Sequence, residues 1–95
     1  VETAYDSIVI TDLDGKIIHA NTAASRIFDW QLAMLSGTHA AVFYPERTQT
    51  EWLIEQAIAG GWSGEVICQR RNGDTFPALV SVSPILDERD RPTAV

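Results

Sequence analysis

A single cysteine, Cys68, stands in the 95-residue sequence, so no disulfide can form within the chain. A lone thiol fits a reducing compartment, and the reading is cytoplasmic. No apolar run approaches the roughly 20 residues needed to cross a bilayer. Val1-Glu2-Thr3-Ala4 shows no signal-peptide pattern. Basic residues are scarce: seven Lys and Arg face thirteen Asp and Glu, a formal net charge of -6. That field repels nucleic acid and anionic lipid, and neither is expected as a partner. Catalytic and metal signatures are missing too. His19 has no carboxylate or thiol at ligand spacing. Asp12-Leu13-Asp14-Gly15 lacks the remaining ligands of a calcium loop. No nucleophile-elbow phrase precedes a helix, and Gly60-Gly61 ends a helix instead of opening a phosphate-cradling one. No metal and no catalysis are expected of this segment.

What is present is a globular composition, 45% apolar and 21% charged, in a length that fits one domain over 1–95. The chain has no initiating Met and stops mid-pattern at Thr93-Ala94-Val95. It therefore reads as a piece of a longer protein whose last strand is truncated. Ser7 to Thr11 and Lys16 to Ala20 are short β-branched runs, with turn chemistry between them in Asp12 to Gly15. Asn21 stands as N-cap before the apolar stripe Ala23, Ala24, Ile27, Phe28, and Asp29 stands where a left-handed C-cap is usual. From Gln31 to Tyr44 the apolar residues come irregularly around Gly37, which predicts one or two single-turn helices. Arg47 to Ala59 carries Leu53, Ile54, Ala57 and Ile58 on one face and is predicted as a three-turn helix stopped by Gly60-Gly61. Trp62 to Arg71 and Asp74 to Ile85 are predicted as two long strands, and Thr93 begins a fifth.

The turn between the two long strands sets which side chains face inward. A two-residue Asn72-Gly73 turn would put Val66 and Cys68 on one face with Pro77, Leu79 and Ser81, mixing apolar with polar. A three-residue loop with Gly73 in the left-handed bulge position places Val66 and Cys68 with Phe76, Ala78, Val80 and Val82. Glu65, Gln69, Thr75 and Ser81 then point the other way. The pattern selects the bulged turn, and its inner face is small at Cys68 and Ala78.

Three phrases, "IVITDLDGKIIHANTAASRIF", "WQLAMLSG" and "GGWSGEVICQRRNGDTFPALVSVSPI", stand in this order. In order and spacing the chain resembles the PAS sensor-domain family from about Ala4 to Val95. The resemblance implies an α+β fold: a five-stranded antiparallel sheet, first strand beside last, with short helices and one longer helix covering one face. Between helices and sheet such domains hold a small-molecule pocket or a packed core, and the opposite sheet face commonly docks a partner PAS domain. The implied role is a bacterial sensory module attached to a kinase, a cyclic-dinucleotide enzyme or a transcription regulator, with a ligand-free dimerisation and relay module as the alternative.

The departures narrow the cofactor. The flavin-photoreceptor relatives carry a reactive Cys where this chain has Ala40, after Gly37-Thr38-His39, so cysteinyl-flavin chemistry is excluded. The positions that hold a flavin ring fall at Cys68 and Ala78, which offer no amide. No His lies on the helix spanning Glu46 to Ala59, so a His-ligated haem is not expected. Trp62 is shared with oxidised-flavin sensors and with flavin-free members alike, so a non-covalent flavin stays open on a weak signal. The candidate pocket lining is Val9, Thr11, Ala24, Phe28, Leu35, His39, Phe43, Ile54, Val66, Cys68, Ala78, Val80 and Val82, with His39 at the rim. A ligand there should be largely apolar or carry few hydrogen-bonding groups. Its identity stays open. Cys68 reads as structural, Arg70-Arg71 as a solvated edge, and Trp30, Trp52 and Trp62 as packing anchors.

Overall fold

In the computed structural model, which describes residues 7–95, the first turn is built by Asp12. Its Oδ1 accepts from the backbone N–H of Asp14 at 3.0 Å and of Lys16 at 2.9 Å, closing the hairpin of β1 (Val9–Thr11) and β2 (Ile17–Ala20). Residues 1–6, which the sequence reading places in the domain, lie outside the described residues.

Asn21 follows β2 and does two jobs. Its Oδ1 caps helix α1 (Thr22–Phe28) by accepting from Ala24 N at 2.9 Å, and it also accepts from Ile8 N at 3.0 Å, tying the helix start to the approach to β1. The side chain is 2% exposed. Asn21→Ala removes the cap and orphans a second donor, so unfolding free energy should fall by about 2–3 kcal/mol. A urea midpoint within error of the parent's would refute that double role. At the other end of α1, Asp29 takes φ 58°, the left-handed C-cap conformation.

The irregular stretch becomes a single turn α2 (Leu32–Leu35) and a 3-10 turn at Ala40–Phe43. Between them the backbone is not free. Ile17 N donates to Thr38 O and Gly37 N to Ile17 O, both at 2.8 Å, so this loop runs along β2 as a partner. Helix α3 (Gln49–Ile58) buries Thr50, Leu53, Ile54 and Ala57 and ends where Gly60 and Gly61 take φ +126° and +115°. Two residues predicted at its start, Arg47 and Thr48, stay outside it.

Strands β3 (Trp62–Gln69) and β4 (Thr75–Val82) pair antiparallel with Val66 opposite Ala78 and Cys68 opposite Phe76. Gly73 has φ +94°, Arg70 N donates to Asp74 O at 2.8 Å, and Gly73 N donates to Arg70 O at 2.9 Å, which makes the loop three residues long. Val66 and Cys68 are buried on the inner face, while Leu79 on the outer face is 87% exposed. The second long strand does not run to Ile85 as predicted. It stops at Val82 because Pro84 has no N–H to donate to a ladder, and a separate β5 (Ile85–Leu86) resumes beyond it.

β5 pairs antiparallel with β6 (Pro92–Ala94), and Thr11 and Val95 exchange both backbone hydrogen bonds, at 2.7 and 2.9 Å. The last strand therefore lies beside the first. The described strands pair as three two-stranded antiparallel sheets, β1 with β2, β3 with β4 and β5 with β6, and the count is five when β4 and β5 are taken as one strand interrupted at Ser83-Pro84. The fold is α+β. Between helices and sheet, Phe28 stacks on Phe43 with ring centroids 4.1 Å apart and meets Phe76 at 5.9 Å, while Ile17, Leu35 and Cys68 are fully buried around them.

Candidate functional site

A cavity of about 620 Å³ lies between α3 and the inner sheet face. Thr50, Leu53 and Ile54 wall it from α3, Phe28 and Phe43 from the aromatic stack, and Cys68, Ala78, Val80 and Val82 from the hairpin. Val9 and Thr11 complete the β1 side. Inward Ala78, Val80 and Val82 and outward Leu79 and Ser81 all border it, as do the consecutive residues 7–11. A space bordered by both faces of two strands runs through the sheet between them, so the cavity opens between β1 and β4.

Among the described residues the lining contains no Asp, Glu, Lys, Arg or His. Its titratable groups are the Tyr44 phenol and the Cys68 thiol. Burial pushes both upward, and for Tyr44 the neighbouring Cys68 adds to the rise. Both groups are neutral at physiological pH. The Thr11 hydroxyl donates to Asp12 O at 2.9 Å, and the Thr50 hydroxyl is buried with no hydrogen-bond partner.

The raised values carry a sign. A folded pKa above the ordinary 9.0 of a thiol or 10.0 of a phenol means that folding favours the protonated form. Their contribution to stability is fully present below those values and is lost as pH rises through the folded ones. Urea midpoints should hold between about pH 7 and 8 and fall above about pH 9, with the fall smaller in Tyr44→Phe. Midpoints that are flat or rise across the alkaline range would contradict the burial of both groups.

Of the sequence-predicted lining, Val9, Thr11, Phe28, Phe43, Ile54, Cys68, Ala78, Val80 and Val82 border this space. Ala24, Leu35 and Val66 are buried but do not border it. His39 is not at the rim. Its Nδ1 accepts from Ala41 N at 3.0 Å, capping the 3-10 turn, and its Nε2 lies 2.8 Å from Asp14 O at the β1–β2 turn. The Thr38–Ala40 backbone pairing beside β2 pulls the ring to the hairpin turn, a long-range constraint that the local sequence does not display. Sequence reasoning missed Tyr44 and Thr50. Thr50 was legible, since 50, 53, 54 and 57 share a helical face, while Tyr44 follows the 3-10 turn and carries no periodic signal.

Three other readings change. Arg70 and Arg71 are not merely a solvated edge: their guanidinium groups lie 4.4 Å from the Phe76 ring centroid and 4.9 Å from that of Trp30. Trp52 is 39% exposed and meets Trp62 edge-on at 4.8 Å, so it flanks the surface instead of anchoring the core. Among the described residues no group of three metal-ligating side chains is present, and no helix is long and apolar enough to cross a membrane.

Short helices and one longer helix over paired antiparallel strands, with the first strand beside the last, define a small α+β domain. The family model described as PAS domain matches residues 6–95, and the chain belongs to that family. It is 31% identical over 91 residues to a nitrogen fixation regulatory protein of Klebsiella oxytoca, a match covering 92% of this chain but 18% of that protein. Among solved structures it superposes on the PAS domain of a Colwellia psychrerythraea protein with a TM-score of 0.81 at 22% identity, covering 93% of this chain and 78% of that one. A PAS domain of a LuxR-family transcriptional regulator from Burkholderia thailandensis, in complex with ethanol, gives 0.71 at 26% identity, covering 93% and 80%. The regulatory setting of the relative is thus established, and this chain spans less than a fifth of its length.

Proposed function

We propose that this chain is the sensory module of a larger bacterial signalling protein, located in the cytoplasm. It binds a small molecule beneath α3 and passes the change to an attached kinase, cyclic-dinucleotide enzyme or transcription regulator. The observation that carries the reading is the largely apolar space beneath α3, lined by Phe28, Phe43, Leu53, Ile54, Cys68 and Ala78, which is part of a cavity of about 620 Å³ that opens between β1 and β4. The ethanol complex of the Burkholderia domain supports small ligands in this fold. Signalling requires only that the ligand bind one of two arrangements better than the other. In this reading the domain does no chemistry itself and contacts neither nucleic acid nor membrane. Native mass spectrometry of protein purified from its host tests it: a reproducible added mass is expected, and its absence under gentle conditions would favour the second reading. An absorbance scan through the near-ultraviolet and visible checks for flavin or haem.

The second reading is a homodimeric relay without ligand, favoured by the outer sheet face, where Leu79 and Ile67 are exposed. A monomer at high concentration would count against it.

The same reading extends β6. Val95 already exchanges both backbone bonds with Thr11, and among the described residues the edge of β4 facing away from β3 has no strand partner. We propose that chain following Val95 continues between β1 and β4. Adding about six to ten residues, a usual strand length, should raise the denaturation midpoint, because each ladder bond contributes about 0.5–1.5 kcal/mol. Equal midpoints with and without the added residues would oppose it.

A further inference from the structure

On α3, Thr50, Leu53 and Ile54 border the cavity, but Gln49 and Trp52 border a second space. This is an open groove of about 300 Å³ between the start of α3 and β3, and it shares no lining residue with the cavity. Two indoles, Trp52 and Trp62, are among its walls, as are Glu46 and Glu65. The indoles meet at 84° with centroids 4.8 Å apart, so their planes form a right-angled corner, and Trp52 stays 39% exposed after this packing. Gly64 makes the corner possible. A Cβ there would lie 2.5 Å from Trp62 Cζ2 and 2.7 Å from Cη2, so the ring lies against a strand position that can carry no side chain. Glycine inside a strand weakens it, and its presence here marks the close approach of the ring.

The charges around the corner have one sign. Among the described residues no Lys, Arg or His borders the groove, and neither Glu46 nor Glu65 is ion-paired. Thr48 Oγ1 donates to Glu46 Oε1 at 3.4 Å, and both residues line the groove. The positive end of α3 is offset by Glu51 in its first turn. An indole face carries negative charge density and attracts a cation, above all one whose methyl groups weaken its hydration. An anion would meet those faces and the carboxylates together, and a neutral apolar group would gain nothing from the carboxylates.

We infer that this groove binds a small free organic cation of the quaternary or methylated ammonium class, its methyl groups in the Trp52–Trp62 corner and its charge balanced by Glu46, with Glu65 on β3 adding to the field. The site is separate from the cavity under α3 and does not depend on the ligand-binding reading above.

The test compares choline with its uncharged carbon isostere, 3,3-dimethyl-1-butanol, at matched ionic strength, followed by the indole N–H and backbone amide chemical shifts of the parent protein, Trp52→Leu and Glu46→Gln. Saturable shifts are expected at Trp52 and Trp62, with the buried Trp30 indole N–H unmoved. Choline should bind about 5- to 30-fold more tightly than the isostere, the range for two ring contacts with a cation. Trp52→Leu should reduce that preference about 2- to 5-fold, and Glu46→Gln should weaken choline by a similar factor while leaving the isostere unchanged. Amide shifts away from the groove that match the parent's show that each variant is folded. Equal dissociation constants for choline and the isostere would overturn the cation class. A preference unchanged in Trp52→Leu would overturn the aromatic corner, and unchanged choline binding in Glu46→Gln would overturn the role of that carboxylate. No saturable shift at Trp52 and Trp62, or shifts confined to cavity residues such as Val80, would overturn the groove as a site and leave the cavity reading standing.

Discussion

Phe43→Ala should lower the unfolding free energy by about 3–5 kcal/mol, the cost of emptying an aromatic site in a core that relaxes only partly. Phe43 is 2% exposed, stacks on Phe28 with centroids 4.1 Å apart and meets Tyr44 edge-on at 6.5 Å. A small domain holds only about 5–15 kcal/mol in total, so the variant should be close to half-unfolded in mild denaturant. Phe43 also borders the cavity, so the lost ring enlarges the space that a ligand would fill. A fall of under about 1 kcal/mol in a urea titration would mean that the ring stack is not the centre of the core.

Gly15→Ala should cost about 2–4 kcal/mol, and for two separable reasons. The residue sits at φ +93°, which disfavours any residue with a Cβ, and that Cβ would lie 2.7 Å from His39 Nε2 and 2.8 Å from His39 Cε1. The ring cannot simply swing away, because both of its nitrogens are engaged, one with Ala41 N and the other at Asp14 O. Gly73→Ala provides the control. It has a comparable φ of +94° but open space within 4 Å, so it should show the backbone part alone, about 1–2 kcal/mol. Combining Gly15→Ala with His39→Ala should cost less than the sum of the two single changes, since the ring is the shared partner. Strict additivity in a double-mutant cycle would show that the histidine does not hold the turn.

These two positions illustrate how unevenly the sequence displays its own constraints. Gly73 announces itself: it follows Asn72 between two alternating runs, and only the three-residue loop keeps Val66 and Cys68 on a face with Ala78 and Val80. Gly15 also reads as a turn glycine, but the ring that forbids a side chain there comes from a residue 24 positions later in the chain. The same holds for Asn21. Its N-cap role is local and legible, whereas its second bond, to Ile8 N, depends on where the first hairpin lies relative to α1.

Within the candidate site, the residues found in advance were mostly those on regular elements: Val9 and Thr11 on β1, Phe28 on α1, Ile54 on α3, and Cys68, Ala78, Val80 and Val82 on the hairpin, with Phe43 on the 3-10 turn the exception. Periodicity of 3.6 or 2 assigns a face, and a face is enough when only one side of the element is covered. Ala24 and Val66 obeyed that rule and are buried, as is Leu35, but burial does not distinguish a packed residue from one beside a cavity. The rim assignment of His39 failed for another reason: it lies just before a 3-10 turn whose direction is set by backbone bonds to Gly15 and Ile17.

The residue pattern by itself determined the element types and order, the caps at Asn21 and Asp29, the hairpin register, and the apolar interior, because each follows from short-range sterics and hydrogen bonding along a few consecutive residues. Only the tertiary structure decided that Thr11 meets Val95, that His39 guards Gly15, and that Thr50 and Tyr44 join the cavity. Those outcomes depend on which surfaces meet once the helices close over the sheet, and close packing selects that arrangement from contacts between segments far apart in the chain.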